Sequence, residues 1–417
     1  MFKVLCSAML GNALEWYDYG LYAQFAGIIA TTFFPDTPLS QLLTFAVFAA
    51  GFFVRPLGGV VFGYIGDKLG RTAALTVGII TMAIPTAAIG FLPSYETIGI
   101  AAPIILTLVR LVQGFSLGGE FSGCIAYIVE NAPASSRAFA GSAAFVSMCM
   151  GMLLGSVTAS FTREIFSPED LEAWGWRIPF IAGFAIGLVG LYIRSCLKES
   201  VVYQSAVESG NLSRTPLRDV LVQYRSILLV SVGIYLTVTV PYYTVTVYME
   251  TFLQGLAFRA AEASDVSRWM LMTMIVALPC SAYLSDKIGR KPVMTFGCFA
   301  FISLSYPLFW YMTNSLDIGC VRWAACGLAA LAGIYMGPVP TVLVESFPTK
   351  VRFTGVALSY NLSAAIFGGT LPMVAITLTE MFADQKVVAY YISIFAALSL
   401  YSLAFYRETY KKSLQEE

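Results

Sequence analysis

The sequence predicts an all-α integral membrane protein, with twelve transmembrane helices in two pseudo-symmetric six-helix bundles. Three observations predict it. The composition suits hydrocarbon, the chain holds twelve long apolar runs, and two charged signatures recur in order at nearly one offset.

Of the 417 residues, 58% are hydrophobic and only 12% charged. Soluble domains run at about 45–50% apolar and about 25% charged. A helix crossing a bilayer needs about 20 mostly apolar residues, so twelve crossings with short connections use nearly the whole chain. Lys and Arg together balance Asp and Glu, 25 against 25. Bulk charge therefore gives no reason to expect a nucleic-acid partner. Histidine is absent, which removes the commonest metal ligand and the usual proton carrier near neutral pH. Proton chemistry is left to carboxylates, and no metal or cofactor is expected. The eight cysteines (6, 124, 149, 196, 280, 298, 320, 326) lie scattered in apolar stretches without a CxxC pair. They read as packing residues. The N-terminal run contains Glu15 and Asp18 and lacks a small-residue cleavage site, so it reads as the first span.

Runs bounded by Gly, Pro and charge clusters place the spans at 4–31, 39–65, 73–93, 98–129, 138–162, 176–197, 226–253, 264–284, 292–313, 318–344, 353–380 and 388–406. The pairs Gly59/Gly63, Gly114/Gly118, Gly151/Gly155 and Gly183/Gly187 are spaced for close helix packing in lipid. Seventeen of the 25 Lys and Arg fall in one set of connections and five in the other, while Arg55, Arg110 and Arg322 fall inside spans. The positive-inside rule then puts both termini in the cytoplasm. The longest polar connection, 199–225, divides the chain into an N-terminal bundle (1–198) and a C-terminal one (226–417).

The halves repeat. GYIGDKLGR (63–71) follows span two and AYLSDKIGR (282–290) follows span eight, shifted by 219 residues. Glu130-Asn-Ala-Pro133 with Arg137 follows span four, and Glu345-Ser-Phe-Pro348 with Arg352 follows span ten, shifted by 215. Many secondary transporters are built from such repeats, with the solute held near the midplane between them.

These residues resemble the major facilitator superfamily over essentially the whole chain. LGNALEWYDYGLY (10–22), FFVRPLGGVVFGYIGD (52–67), RLVQGFSLGGE (110–120), WGWRIPF (174–180) and LSYNLSAAIFGGTLP (358–372) narrow the resemblance to the metabolite:proton symporter family. Its members carry proline, betaine, 2-oxoglutarate, citrate or shikimate across bacterial inner membranes. The chain departs from osmosensory members in its short C-terminus, which leaves no coiled-coil sensor to expect. It also has Tyr64 where relatives often have His. The resemblance implies a gating latch made of Asp67, Lys68 and Arg71, of Asp286, Lys287 and Arg290, and of Glu130, Arg137, Glu345 and Arg352. A latch acts by stabilising one conformation over another.

Charges inside spans are costly and are functional candidates by default. Glu15, Asp18 and Tyr22 share a face of span one at i, i+3 and i+7. With Glu120, the two carboxylates are candidates for coupling to H+, although Glu15 or Asp18 pairing with Arg55 or Arg110 is the structural alternative. Arg55 and Arg110 match family positions, and either guanidinium suits a substrate carboxylate. Glu250, Arg322, Glu345 and Glu380 fall inside or close to span ends. Trp16, Tyr17, Tyr19 and Tyr22 are placed to face Tyr242, Tyr243 and Tyr248 of span seven, as a cage for a cationic ammonium. Asn361 suits a hydrogen bond to a polar solute or to a neighbouring helix.

A channel needs no duplicated latch. A membrane enzyme needs a nucleophile or metal set, and a receptor needs no paired buried charge at the repeat interface. The reading is therefore a secondary transporter, with a small-molecule substrate, a bilayer and a monomeric working unit. It predicts proton symport of a proline- or betaine-like solute by alternating access. A di- or tricarboxylate such as 2-oxoglutarate or citrate is the alternative, disfavoured by the aromatic supply.

Overall fold

The computed structural model describes residues 2–35, 37, 40–195, 197–412 and 414. Cys196 and the side chain of Lys3 lie outside the described residues. Twelve long helices follow one another among them. The first six are α1 (Phe2–Gln24, continued after Phe25 by Ala26–Phe33), α2 (Ser40–Lys68), α3 (Arg71–Phe91), α4 (Ala101–Glu130), α5 (Arg137–Ile165) and α6 (Arg177–Ser195). The second six are α7 (Arg225–Gly255), α8 (Ala260–Ile288), α9 (Arg290–Asn314), α10 (Ile318–Ser346), α11 (Arg352–Phe382) and α12 (Val387–Phe405). Two short helices, Val201–Glu208 and Pro216–Val222, lie between the sets.

All but α1 are long and apolar enough to cross a membrane. The exception carries Asn12, Glu15 and Asp18, all wholly buried. Phe53, Leu57, Leu108, Val276 and Trp323 stand exposed on the wall that lipid covers, and the interior is an apolar core with buried charges set into it. Association between such helices depends on close contact instead of hydrophobic exclusion. The four predicted glycine pairs supply it. Gly114 and Gly118 meet the backbone of α2, and Gly151 and Gly155 meet that of α1. Gly59 and Gly63 meet Asn361 and Thr354 of α11, and Gly183 and Gly187 meet Thr86 and Ala83 of α3.

In the N-terminal half α1 packs on α5, α2 on α4 and α3 on α6. In the C-terminal half α8 packs on α10, and α12 on α7 and α9. The halves meet along α2 with α11 and α5 with α8, two contacts that the repeat makes equivalent.

Pro241 sits inside α7, and the helix then runs through a wide π turn at Thr244–Tyr248. Helix α11 has the same irregularity at Ala364–Gly368. Wide turns of this kind break the regular hydrogen-bond ladder and often mark functional positions. One sequence expectation needs correction. Asp67 and Lys68 belong to the last turn of α2 and not to a loop. Arg322 lies within the predicted span, in the first turns of α10, one-third exposed and 2.8 Å from Asp265.

Candidate functional site: a charged gate and a buried centre

The charged cluster that the sequence reads as a gate lies at the end of the bundle where α2 meets α3 and α8 meets α9. Gly70 and Gly289 make these two corners with φ of +108° and +105°. A side chain rarely adopts that backbone conformation, which is glycine's use there. Each corner brings an aspartate to the first turn of a helix in the opposite half. Asp67 accepts from the backbone N–H of Phe353 (3.1 Å) and Thr354 (2.9 Å), and from the Thr354 hydroxyl (2.7 Å). Asp286 accepts from the N–H of Ala138 (3.0 Å) and Phe139 (2.8 Å). A carboxylate at a helix N-terminus satisfies orphan N–H groups and meets the positive end of the helix dipole.

The arginines tie each corner back to its own half and across. Arg71 reaches Asp67 at 3.1 Å and Glu130 at 3.0 Å, and Glu130 also holds Arg352 at 3.1 Å. In the second copy Arg290 reaches Asp286 at 2.8 Å and Glu345 at 3.2 Å, and Glu345 holds Arg137 at 3.5 Å. Lys68 and Lys287 take no part in these ion pairs. The cluster has members that the sequence reading missed. Glu199 accepts from the Thr72 N–H (3.1 Å) and Glu408 from the Lys291 N–H (2.9 Å). Ser200 and Thr409 each donate to the glutamate of their own half, Glu130 and Glu345, at 2.6 Å. The signal was Lys198-Glu199-Ser200 after span six and Arg407-Glu408-Thr409 after span twelve.

The buried centre holds six charges. Arg110 binds Asp18 at 2.5 Å, and Gln113 braces the pair by accepting from Arg110 and donating to Asp18 and Thr86. Arg194 grips both oxygens of Glu120. Glu120 is thus the partner of Arg194 and stands apart from the Asp18–Arg110 pair. Arg194, counted from the sequence among the connection charges, is 2% exposed and points inward. Glu15 is wholly buried, and neither of its oxygens has a hydrogen-bond partner.

Arg55, also wholly buried, donates through Nη1 to the hydroxyls of Tyr243 (3.0 Å) and Tyr360 (3.4 Å), both in the opposite half. Its Nε and Nη2 have no partner. The guanidinium lies 3.8 Å from the Phe52 ring centroid and 5.4 Å from that of Tyr19. Trp16 packs edge-on against Tyr242 at 5.3 Å, and Tyr242 against Tyr243 at 5.5 Å. A cavity of about 10 Å³ separates Tyr242, Tyr243, Tyr235, Tyr360, Phe145 and Met148. That is room for about one water, so the halves are drawn together here.

The aromatic cage is narrower than the sequence suggested. Trp16 and Tyr19 face α7, but three expected members do not. Tyr22 lies under Arg110 (3.8 Å) and donates to the Thr44 carbonyl. Tyr17 donates to the Pro179 carbonyl, and Tyr248 packs on Phe252. Asn361 spends its amide N–H groups on the carbonyls of Gly118 and Ala357, which joins α11 to α4.

The profile of the sugar (and other) transporter family matches residues 3–220 and again 221–417. The chain belongs to that family. Among the transporter's relatives, the glycine betaine/proline/ectoine/pipecolic acid transporter OusA of Dickeya dadantii is 35% identical over 99% of this chain and 84% of its own length. The proline/betaine transporter of Escherichia coli K12 is 32% identical over 99% and 85%. Among solved structures, the major facilitator superfamily proton:xylose symporter XylE superposes with a TM-score of 0.85 at 17% identity, over 100% of this chain and 98% of that one. The transporter therefore has the twelve-helix major facilitator fold and is a multi-pass membrane protein.

Proposed function

We propose that the transporter is a proton-driven symporter of a compact zwitterion bearing one carboxylate, such as betaine or proline. It works in the bacterial cytoplasmic membrane, with both termini and the charged gate on the cytoplasmic side, as the excess of Lys and Arg on that side favours. Its working unit is the monomer, and the coupling ion is H+.

The observation that carries this reading is Arg55. A guanidinium with two unfilled N–H donors, walled by Phe52, Tyr19 and Tyr243, lies where the halves meet. It offers a carboxylate two parallel hydrogen bonds. The rings of Trp16, Tyr19 and Tyr242 offer an ammonium the cation–π attraction that quaternary ammonium ligands use. Arg110 is spent on Asp18, so the centre has one guanidinium for one carboxylate, which favours a zwitterion over 2-oxoglutarate or citrate. The relatives named for betaine and proline point the same way.

Alternating access follows from the gate. With the latches made, the cytoplasmic end is shut, and breaking them lets the halves rock about Arg55. The test is uptake of labelled betaine, proline, 2-oxoglutarate and citrate into proteoliposomes under an imposed proton gradient. Accumulation of betaine or proline that a protonophore abolishes is the expected result. Accumulation of a dicarboxylate alone, or uptake indifferent to the gradient, would sink it.

A further inference from the structure

Three anions and three cations are buried among the spans of the N-terminal half: Glu15, Asp18 and Glu120 against Arg55, Arg110 and Arg194. Two pairs are closed by hydrogen bonds, Asp18–Arg110 and Glu120–Arg194. Protonating Asp18 or Glu120 would strand a buried guanidinium, which is the costly way to break a buried pair. Those two carboxylates are fixed counter-ions. Glu15 and Arg55 are left over, and no hydrogen bond joins them.

Glu15 sits one turn along α1 from Gly11, against which Arg194 and Glu120 press. The charged groups acting on it are Glu120 of α4, Arg55 of α2, Arg194 of α6 and Asp18 of its own helix. Cys124 of α4 and Tyr360 of α11 are the further titratable neighbours. None gives it a hydrogen bond, so an ionised Glu15 has nothing in place of its lost hydration. Its one uncommitted counter-charge is Arg55.

We infer that Glu15 alone carries the coupled proton and that Arg55 links this proton to the solute. The inference rests on the function proposed above. The solute's carboxylate takes Nε and Nη2 of Arg55, and Arg55 then no longer balances Glu15. The Glu15 carboxylate takes one proton from the side open to solvent and becomes a neutral acid that needs no counter-charge. Opening to the other side releases solute and proton together. Bare Glu15 and the solute carboxylate compete for one guanidinium, so binding and protonation require each other.

The experiment measures the Kd of betaine and of proline for the full-length protein in nanodiscs, from about pH 5 to about pH 9. The protonated form is the binding form. Affinity is therefore full at low pH, and Kd rises about tenfold per pH unit once Glu15 ionises. A pH dye should count one proton taken up per solute bound on that limb. Glu15→Gln removes no hydrogen bond, because Glu15 accepts none, and should bind with a flat profile and no proton uptake. Asp18→Asn should keep the slope even if its affinity falls. A slope retained by Glu15→Gln, a slope lost in Asp18→Asn, or a flat wild-type profile overturns the inference while leaving the substrate reading intact. The flat wild-type profile would mean that Glu15 takes up no proton when the solute binds. No binding of either solute by the wild type overturns the substrate reading and this inference together.

Discussion

Replacing Asp67 by Ala should unbalance the gate, and the two copies of the latch allow the effect to be sized. Asp67 accepts three hydrogen bonds from the opposite half, two from the backbone N–H groups that open α11 and one from the Thr354 hydroxyl. Asp286 accepts two, because Phe139 stands where Thr354 stands in the other copy. When the gate opens, these donors meet water, so each bond counts only its net value, about 1.5–3 kcal/mol for a charged acceptor. Asp67→Ala should then shift the closed-to-open equilibrium by about 4.5–9 kcal/mol, and Asp286→Ala by about 3–6 kcal/mol. In populations the first shift is about a thousandfold or more toward open. Spin labels at Leu69 and Ile288, both on the gate end and well exposed at 68% and 52%, would report it as a distance distribution by pulsed electron resonance. The longer-distance population should grow in both variants and further in Asp67→Ala. If Asp67→Ala keeps the wild-type distribution, or Asp286→Ala opens the gate more, the hydrogen-bond accounting is wrong.

Arg55→Lys replaces a fork by a point donor and gives up its stacking on Phe52. Equilibrium binding should show solute affinity falling by about tenfold or more, with melting temperature little changed. Glu120→Gln leaves Arg194 buried without its charge partner and should destabilise the protein by about 3–5 kcal/mol. Thermal unfolding in detergent measures this, and adding Arg194→Met should recover part of the loss. Gly70→Ala forces a side chain into φ of +108° and against Glu199, whereas Gly289→Ala meets Glu408 at 2.9 Å. Both should lower the melting temperature, and the first should also expose the gate-end label at Leu69 to faster reaction with a polar probe.

The twelve helices and the charged cluster at the bundle end were legible because their signals are local or duplicated. Apolar length marks a span without help from the rest of the chain, and Asp67, Arg71, Glu130 and Arg352 each have a numbered copy. The Lys-Glu-Ser and Arg-Glu-Thr tripeptides escaped because three residues, two of them only similar, do not rise above chance until the corner they cap is seen. The buried centre was legible as a set of residues and not as a set of pairs. Asp18 lies 92 positions from Arg110 and Glu120 lies 74 from Arg194, so nothing in the chain's order selects the partner. Arg194 was read as a cytoplasmic anchor because it ends a span. Its side chain turns inward into room left by Gly11 and Gly78, which contact Arg194 and Glu120 respectively. The aromatic cage shrank for a related reason, since helical spacing places Tyr17 and Tyr22 on α1 but does not say which neighbour each one meets.

The two wide turns inside membrane spans, Thr244–Tyr248 in α7 and Ala364–Gly368 in α11, both fall in the C-terminal half among the described residues. The six buried charges of the centre all fall in the other half. The repeat has thus diverged in where it holds charge and where it loosens its backbone. The N-terminal half is not uniformly regular, since α1 is interrupted at Phe25 and α2 and α3 carry Pro56 and Pro85. In the C-terminal half the wide turns fall in α7 and α11, the two spans that supply Tyr243 and Tyr360 to Arg55. The halves therefore meet at the centre as fixed charge from one side and irregular backbone from the other.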